Sequence, residues 1–186
     1  MSYLPAPAGA RYPWYVRLIF FFQRRRHGSE LEPARWWGRV PGAFLAMSAM
    51  YRALDRKSSP LDPGLRSLVQ ARVSQINRCE YCIDLNSSLC VERGVGPDKL
   101  GALSRFAGSL LFDEREKAAL EYAEAMTDSK RRAGADLIAG LKRHFDDQAI
   151  VELTALIAFQ NMSSKFNAAL GIPAQGFCVP PPRPTK

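Results

Sequence analysis

The chain has 186 residues, of which 47% are hydrophobic and 24% charged, the composition of an ordinary globular protein with a core. Its longest apolar stretch, at residues 18–22, is far shorter than the roughly 18 apolar residues that a membrane-spanning helix needs. The start of the sequence also lacks the basic start, long apolar middle and small-residue cleavage site of a secretory signal. These features predict a cytoplasmic protein.

The net charge of +8 is concentrated near the N-terminus. Residues 1–60 hold ten Arg and Lys against three acidic residues, whereas residues 61–186 hold 16 against 15. A basic cleft in the main domain is therefore not expected, and we predict no nucleic-acid partner. The sequence divides into a basic N-terminal extension (residues 1–40), a helical domain (41–171) and a Pro-rich C-terminal tail (172–186).

Within the extension, an apolar segment at residues 14–23 runs into the basic cluster Arg24-Arg25-Arg26-His27. The segment can form a short helix or an extended strand-like stretch. An apolar run beside a basic cluster can dock on an anionic membrane. The alternative is that its aromatic side chains pack on the core or on a partner subunit. Because no amphipathic period extends beyond ten residues, we favour packing and expect no membrane contact.

Beyond the extension, apolar residues recur at helical spacing and no strand pattern is longer than a few residues. The pattern predicts helices over residues 41–54, 65–76, 77–92, 97–106, 113–127, around 137–141, and 147–171. Turn-forming Ser, Pro, Asp and Gly residues at positions 58–64 mark a linker after the first of these helices. The predicted fold class is therefore all-α.

A C-x-x-C motif, Cys79-Glu80-Tyr81-Cys82, lies at the start of one predicted helix. Asn77, three residues before Glu80, is the predicted N-cap, which places Cys79 in the first turn and Cys82 one turn later. Residues three apart share a helix face with Cβ atoms about 5–6 Å apart, so a small movement opens or closes a disulfide. A helix N-terminus also favours the thiolate, which is the reactive form of cysteine.

Such a pair can carry out redox chemistry. A thiolate that attacks a peroxide oxygen becomes a sulfenic acid, which the second thiol converts to a disulfide. Two other interpretations stay open. In the first, Cys79 and Cys82 are inert thiols buried in the core, which requires no other residue. In the second they bind zinc, which needs two more ligands. Neither the remaining cysteines (Cys90, Cys178) nor the histidines (His27, His144) are spaced to supply those ligands. We expect no metal and no cofactor.

Residues 66–86, RSLVQARVSQINRCEYCIDLN, resemble the core motif of the AhpD-like alkylhydroperoxidase and carboxymuconolactone decarboxylase family. Residues 112–127 and 157–171 resemble the same family, so the likeness extends over roughly residues 40–171. The resemblance implies an AhpD-like helical bundle that forms a homo-oligomer, commonly a trimer or hexamer, with a dimer possible. It also implies reduction of a hydroperoxide substrate by the thiol pair, with electrons returned by a dithiol reductant protein.

The chain departs from the family pattern at two positions. Ser67 stands twelve residues before Cys79, where the family has Glu, and Asn86 stands four residues after Cys82, where the family has His. The resemblance assigns these positions to a proton relay. Neither Ser nor Asn is a base near neutral pH, and general-base help is worth about 10²–10⁴ in rate. We therefore expect the usual peroxidase mechanism to be altered in this chain.

Two nearby residues are possible auxiliaries. Glu80 is either a helix-capping residue or a partial substitute for the relay, and Cys90 is either a small core residue or a third redox thiol. The leading hypothesis is a thiol-dependent oxidoreductase acting through Cys79 and Cys82. The alternatives are a helical oligomer that senses oxidants or binds a partner, and a lactone decarboxylase, which would not need the thiol pair.

Overall fold

The computed structural model describes residues 2–4 and 11–178, and within them all regular secondary structure is helical, which confirms the all-α prediction. The elements are α1 (Trp14–His27), α2 (Glu32–Trp37), α3 (Pro41–Leu54), α4 (Pro63–Ile76), α5 (Glu80–Glu92), α6 (Pro97–Gly101), a 3₁₀ helix (Leu103–Gly108), α7 (Glu114–Thr127), α8 (Ala135–Lys142) and α9 (Asp147–Ala169). The single helix predicted over 97–106 is thus two, with Arg105 in a non-helical conformation inside the second.

The centre of the fold is α4, which packs against α5, α7 and α9. Its apolar residues, among them Leu68, Val69 and Val73, are almost completely buried, and α9 supplies Leu153 and Ile157 to the same core. Because α4 is covered on nearly all sides, its polar residues are buried as well. Buried polar side chains need hydrogen-bond partners, and those of α4 find several of them close to the thiol pair.

The extension packs on the helical domain through its own apolar cluster. Val16 and Phe20 of α1 are buried against Phe44 of α3. In α2, Trp36 is buried and the ring of Trp37 stacks on Phe166 of α9, with the ring centroids 3.9 Å apart. Residues 14–37 therefore form part of the wall around the thiol pair.

The opposite face of α1 leaves apolar side chains uncovered. Trp14 is 74% and Phe22 59% exposed, and Leu18 and Phe21 are exposed beside them. Phe20 is buried in the chain's own core and Tyr15 packs partly against it, so the packing predicted for Trp14, Phe21 and Phe22 would have to be on a partner subunit. No helix in the described part of the chain is long and apolar enough to cross a bilayer.

The described part of the C-terminal tail crosses back over α5 and is held by one carboxylate. Asp84 accepts hydrogen bonds from the four consecutive backbone N–H groups of residues 175–178, at 2.7 to 3.1 Å. The side chain of Gln175 in turn bonds to residues 29–32 between α1 and α2. The tail therefore ties the extension to α5. Residues 179–186 of the predicted Pro-rich tail lie outside the described residues.

The start of α5 differs from the prediction. Asn77 is the C-cap of α4 and not the N-cap of α5. The N-cap of α5 is Cys79, whose Sγ accepts a hydrogen bond from the backbone N–H of Cys82 at 3.2 Å. Glu80 is the first helical residue and is exposed, so the predicted capping box of Asn77 and Glu80 is wrong. The reason is Arg78, whose left-handed backbone (φ 52°) ends α4 and reverses the chain two residues later than expected.

Candidate functional site

Both thiols of the C-x-x-C motif are buried at the corner between α4 and α5. Cys79 is 1% and Cys82 3% exposed, and both are free thiols. The corner is tight because the N–H groups of Arg78 and Cys79 both return to carbonyls of α4, those of Gln75 and Ser74, at 3.1 Å. Cys79 therefore begins α5, Cys82 lies one turn later, and the two thiols are close enough for each to shift the pKa of the other.

Uncharged hydrogen-bonding side chains surround the sulfur of Cys82. Asn167 of α9 donates from Nδ2 to Cys82 Sγ at 3.2 Å. Ser164 and Gln160 of the same helix lie near this sulfur and help to lower the pKa of Cys82. Gln160 donates further to Ser164 at 2.8 Å and to Ser74 of α4 at 3.0 Å, which fixes its amide. The sulfur is thus held by a connected network of neutral groups from two helices.

This network makes the two thiols unequal in acidity. The hydrogen bond from the Cys79 thiol lowers the pKa of Cys82, and the donors of α9 lower it further, which together outweigh the effect of burial. The same bond, followed by burial, raises the pKa of Cys79. The backbone N–H of Cys82 and the side chain of Asn167 favour a charge on Cys79 instead, but they do not offset the effects that raise its pKa. We therefore assign the thiolate to Cys82 and the proton to Cys79.

The two predicted relay positions lie in different places. Asn86 is buried one turn after Cys82 and donates from Nδ2 to Ser74 Oγ at 3.0 Å, so it belongs to the network around the thiol. Ser67 is fully buried on α4, two turns before Ser74, and donates to the Pro63 carbonyl of its own helix at 3.2 Å. The structure brings Asn86 to the thiol site and places Ser67 elsewhere along α4.

Of the possible auxiliaries, Glu80 projects to the surface from the first turn of α5. Cys90 is fully buried in the main core, where burial raises its pKa to about 12, whereas Cys79 and Cys82 belong to a separate cluster. Among residues 2–4 and 11–178, no three His, Cys, Asp or Glu side chains are grouped as metal ligands.

An apolar cavity of about 340 Å³ adjoins Cys82. Helices α1, α2 and α3 form one side of it, and α5 and α9 form the other. Its apolar wall includes Trp37, Phe44, Met47, Leu85, Leu89 and Phe159. The buried end holds Cys82 and Asn86, and the exposed end holds Arg26 and Arg52. The C-x-x-C motif carries no signal for this cavity, because most of the wall comes from the extension, α3 and α9, which are distant from the motif in the sequence.

Two buried polar atoms beside the cavity have no hydrogen-bond partner among the described residues: the Tyr81 hydroxyl and Asn167 Oδ1. Buried polar groups are nearly always hydrogen-bonded, so an orphaned pair at a cavity is available to a ligand. Burial raises the pKa of Tyr81, which keeps its hydroxyl a neutral donor. Sequence reasoning did not assign either residue to the site; the signal for Asn167 is a polar residue in an otherwise apolar helix.

The sequence profile of the carboxymuconolactone decarboxylase family matches residues 41–125, which include the thiol pair. The uncharacterized protein YnjA of Escherichia coli (strain K12) is 45% identical over 172 residues, covering 92% of this chain and 94% of YnjA.

Solved structures show the same fold. A peroxidase-related protein from Ralstonia eutropha JMP134, described as an alkylhydroperoxidase AhpD core, has a TM-score of 0.83 at 21% identity and covers 95% of this chain and 94% of its own. The debrominase Bmp8 has a TM-score of 0.77 at 21% identity, covering 88% of each chain. At these identities the likeness shows the fold alone. Together with the profile match and the close relative, it shows that the chain belongs to the AhpD-like carboxymuconolactone decarboxylase family.

Proposed function

We propose that the protein is a thiol-dependent oxidoreductase that reduces hydroperoxides, with Cys82 as the attacking thiolate and Cys79 as the resolving thiol. One observation carries the proposal: the Cys82 sulfur accepts a hydrogen bond from Asn167, lies beside the Cys79 thiol and adjoins a cavity large enough for an organic substrate. A thiolate that is stabilised by donors and lies beside a cavity has the requirements of a nucleophile.

In the first step, the Cys82 thiolate attacks the outer oxygen of the hydroperoxide. The S–O bond forms as the O–O bond breaks, and the leaving alkoxide takes up the proton that Cys82 had lost, which yields an alcohol and a Cys82 sulfenic acid. The Cys79 thiol then attacks the Cys82 sulfur, forming the disulfide and releasing water. A dithiol reductant protein returns two electrons and two protons to restore both thiols.

This mechanism requires no base at Ser67 or Asn86. Asn86 donates to Ser74, which also accepts from Gln160, so its amide helps to hold the donors of Cys82 in place. We propose that fixed neutral donors take the place of the proton relay. The expected consequence is a slower enzyme, because general-base help contributes about 10²–10⁴ in rate.

The test is the rate of Cys79–Cys82 disulfide formation with cumene hydroperoxide, measured by rapid quench and mass spectrometry. We expect a rate at least tenfold above that of free cysteine at the same pH. Cys82→Ser should abolish the reaction, and Cys79→Ser should leave a sulfenic acid on Cys82 that dimedone captures. The matched control is Cys178→Ser, which should react like the wild type. A wild-type rate no faster than free cysteine contradicts the proposal.

A second candidate is an oxidant sensor. Cys79 and Cys82 share an apolar cluster with Trp36 of the extension and Ile172 of the tail, so a disulfide would disturb the packing of both. A sensor should show faster amide hydrogen exchange in residues 29–37 after oxidation, and slow turnover with a dithiol. Activity of a lactone decarboxylase type would instead survive replacement of both cysteines by Ser.

We also propose that the protein is a homo-oligomer, a trimer or hexamer, assembled in part through the outer face of α1. The exposed Trp14, Leu18, Phe21 and Phe22 form an apolar surface of the kind that marks interfaces. Light scattering should show a lower mass for the Trp14→Ser/Phe22→Ser double variant. Leu110→Ser, at a fully exposed position outside this surface, is the control. An unchanged mass in the double variant counts against α1 as the interface.

A further inference from the structure

We propose that the cavity beside Cys82 is a binding site for amphipathic organic anions, and that the physiological substrate is a hydroperoxide with an apolar body and a carboxylate. The identity of the reacting group rests on the proposed function; the binding of the anion does not. Three features of the cavity carry the inference: its apolar middle, the charge at its exposed end and the unpaired polar atoms at its buried end.

The middle of the cavity matches an apolar body. Its wall presents the rings of Trp37, Phe44 and Phe159 together with Met47 and Leu85. A volume of about 340 Å³ lies in the range of small-molecule sites, and such sites combine apolar walls with a few placed polar groups. Hydrogen peroxide would leave most of this apolar surface without a contact, so the cavity favours a larger organic molecule.

The exposed end of the cavity carries unbalanced positive charge. Arg26 at the end of α1 and Arg52 of α3 line it, and within the described residues neither forms an ion pair. The acidic residue of the lining, Asp55, is bonded to Arg93 at 2.7 Å and to Arg66 at 3.6 Å, so its charge is already compensated. Guanidinium groups are suited to carboxylates, which they can bind through two parallel hydrogen bonds.

Two residues that line the cavity near Cys82 carry buried polar atoms without a partner among the described residues. Asn167 uses Nδ2 for the Cys82 sulfur at 3.2 Å, which leaves Oδ1 beside that sulfur without a donor, and the Tyr81 hydroxyl lacks an acceptor. A hydroperoxide group supplies an O–H for Asn167 Oδ1 and an oxygen for the Tyr81 hydroxyl.

Binding is tested by titration calorimetry on the reduced full-length protein, with decanoate and decanol as probes of equal chain length. We expect decanoate to bind at least tenfold more tightly than decanol. Arg26→Gln/Arg52→Gln should remove that difference. Arg17→Gln/Arg25→Gln removes two charges from exposed positions of α1 outside the cavity lining and should preserve it. Equal affinities, no binding of either probe, or a preference that survives Arg26→Gln/Arg52→Gln would overturn the proposal.

The reactive group is tested separately by turnover. With a hydroperoxide of a medium-chain fatty acid, Arg26→Gln/Arg52→Gln should raise KM at least tenfold more than it raises KM for uncharged cumene hydroperoxide. Charge-dependent binding of decanoate without oxidation of Cys82 would support the anion site and refute the proposed function. Turnover of both hydroperoxides with equal KM values in wild type and variant would support the function and refute the anion site.

Discussion

Asn167 of α9 donates a hydrogen bond from Nδ2 to the sulfur of Cys82 on α5 at 3.2 Å, across 85 positions of sequence. Asn167 is 1% exposed, so the bond is shielded from water. Because this donor helps to lower the pKa of Cys82, Asn167→Ala should raise that pKa and slow oxidation of Cys82 by about tenfold, the equivalent of one hydrogen bond to a charged group. Thiolate absorbance against pH and rapid-quench oxidation measure the two effects.

The matched control for Asn167→Ala is Asn161→Ala. Asn161 lies on the same helix but bonds to Asn77 at 2.9 Å and to Thr127 at 3.0 Å. Both variants should lose about 1–2 kcal/mol of unfolding free energy through a missing buried hydrogen bond, but only Asn167→Ala should move the thiol titration. If the pKa of Cys82 is the same in both, the thiolate has been assigned to the wrong sulfur.

Asp84 should make the C-terminal tail sensitive to acid. Burial pushes the pKa of Asp84 upward, but the N–H groups of residues 175–178 outweigh it, so the pKa lies below its usual value. The ionised carboxylate therefore stabilises the folded tail fully above the unfolded pKa of about 3.9. As the pH falls below that value and through the folded pKa, this stabilisation is lost. Amide hydrogen exchange at residues 175–178, compared with core amides of α4, should show protection that is constant down to about pH 4 and then decreases.

Replacing the carboxylate should have the same effect at neutral pH. Asp84→Asn offers one acceptor oxygen in place of two ionised ones, and we expect a loss of about 2 kcal/mol of stability together with loss of protection at residues 175–178. Glu80→Gln, the same chemical change one turn earlier at an exposed position of α5, should leave both unchanged. Equal protection in the two variants would show that the tail is held by other contacts.

Local chemistry predicted much of the fold. The predicted helix over 41–54 has the bounds of α3, and α5 ends at residue 92 because Gly94 adopts a φ of 81° and the Val95 N–H returns to the Cys90 carbonyl at 2.9 Å. Helix caps, glycines and apolar spacing each depend on a few neighbouring residues. These signals can therefore be recognised from the sequence alone.

The site was predictable only in part, because only some of its residues are marked by local sequence signals. The thiol pair is a short motif and could be found. The roles of Asn167, Tyr81 and the cavity depend on contacts between helices that are distant in the sequence and on how their side chains are oriented. The cap of α5 was misplaced because a left-handed turn at Arg78 has no signal in its residue type: Gly or Asn is the usual residue there.

The left-handed backbone of Arg78 gives a stability prediction. A residue with a Cβ pays about 1–2 kcal/mol for this conformation, and Gly does not. Arg78→Gly should therefore be about 1 kcal/mol more stable than Arg78→Ala, even though Gly is the more flexible residue when unfolded. The pair of variants is matched, because both lose the exposed arginine side chain. Urea denaturation measures the difference, and a more stable Ala variant would be inconsistent with strain at this corner.

The size of the cavity should control substrate choice. Ser48 of α3 lines the cavity at a half-buried position, so Ser48→Phe places a ring in the space without removing a core contact. We expect KM for cumene hydroperoxide to rise about tenfold, as when a pocket loses room for part of its ligand, while the oxidation rate with hydrogen peroxide stays unchanged.

The control for Ser48→Phe is Ala49→Phe, which adds the same ring at the next residue of α3, where the side chain is exposed and does not line the cavity. Ala49→Phe should leave both KM for cumene hydroperoxide and the oxidation rate with hydrogen peroxide unchanged. Because hydrogen peroxide needs only the space beside Cys82, an equal loss with both peroxides in Ser48→Phe would indicate a distorted thiol site and not a filled cavity. A selective loss with the larger peroxide assigns the cavity, and hence the extension that forms about a third of its wall, to substrate binding.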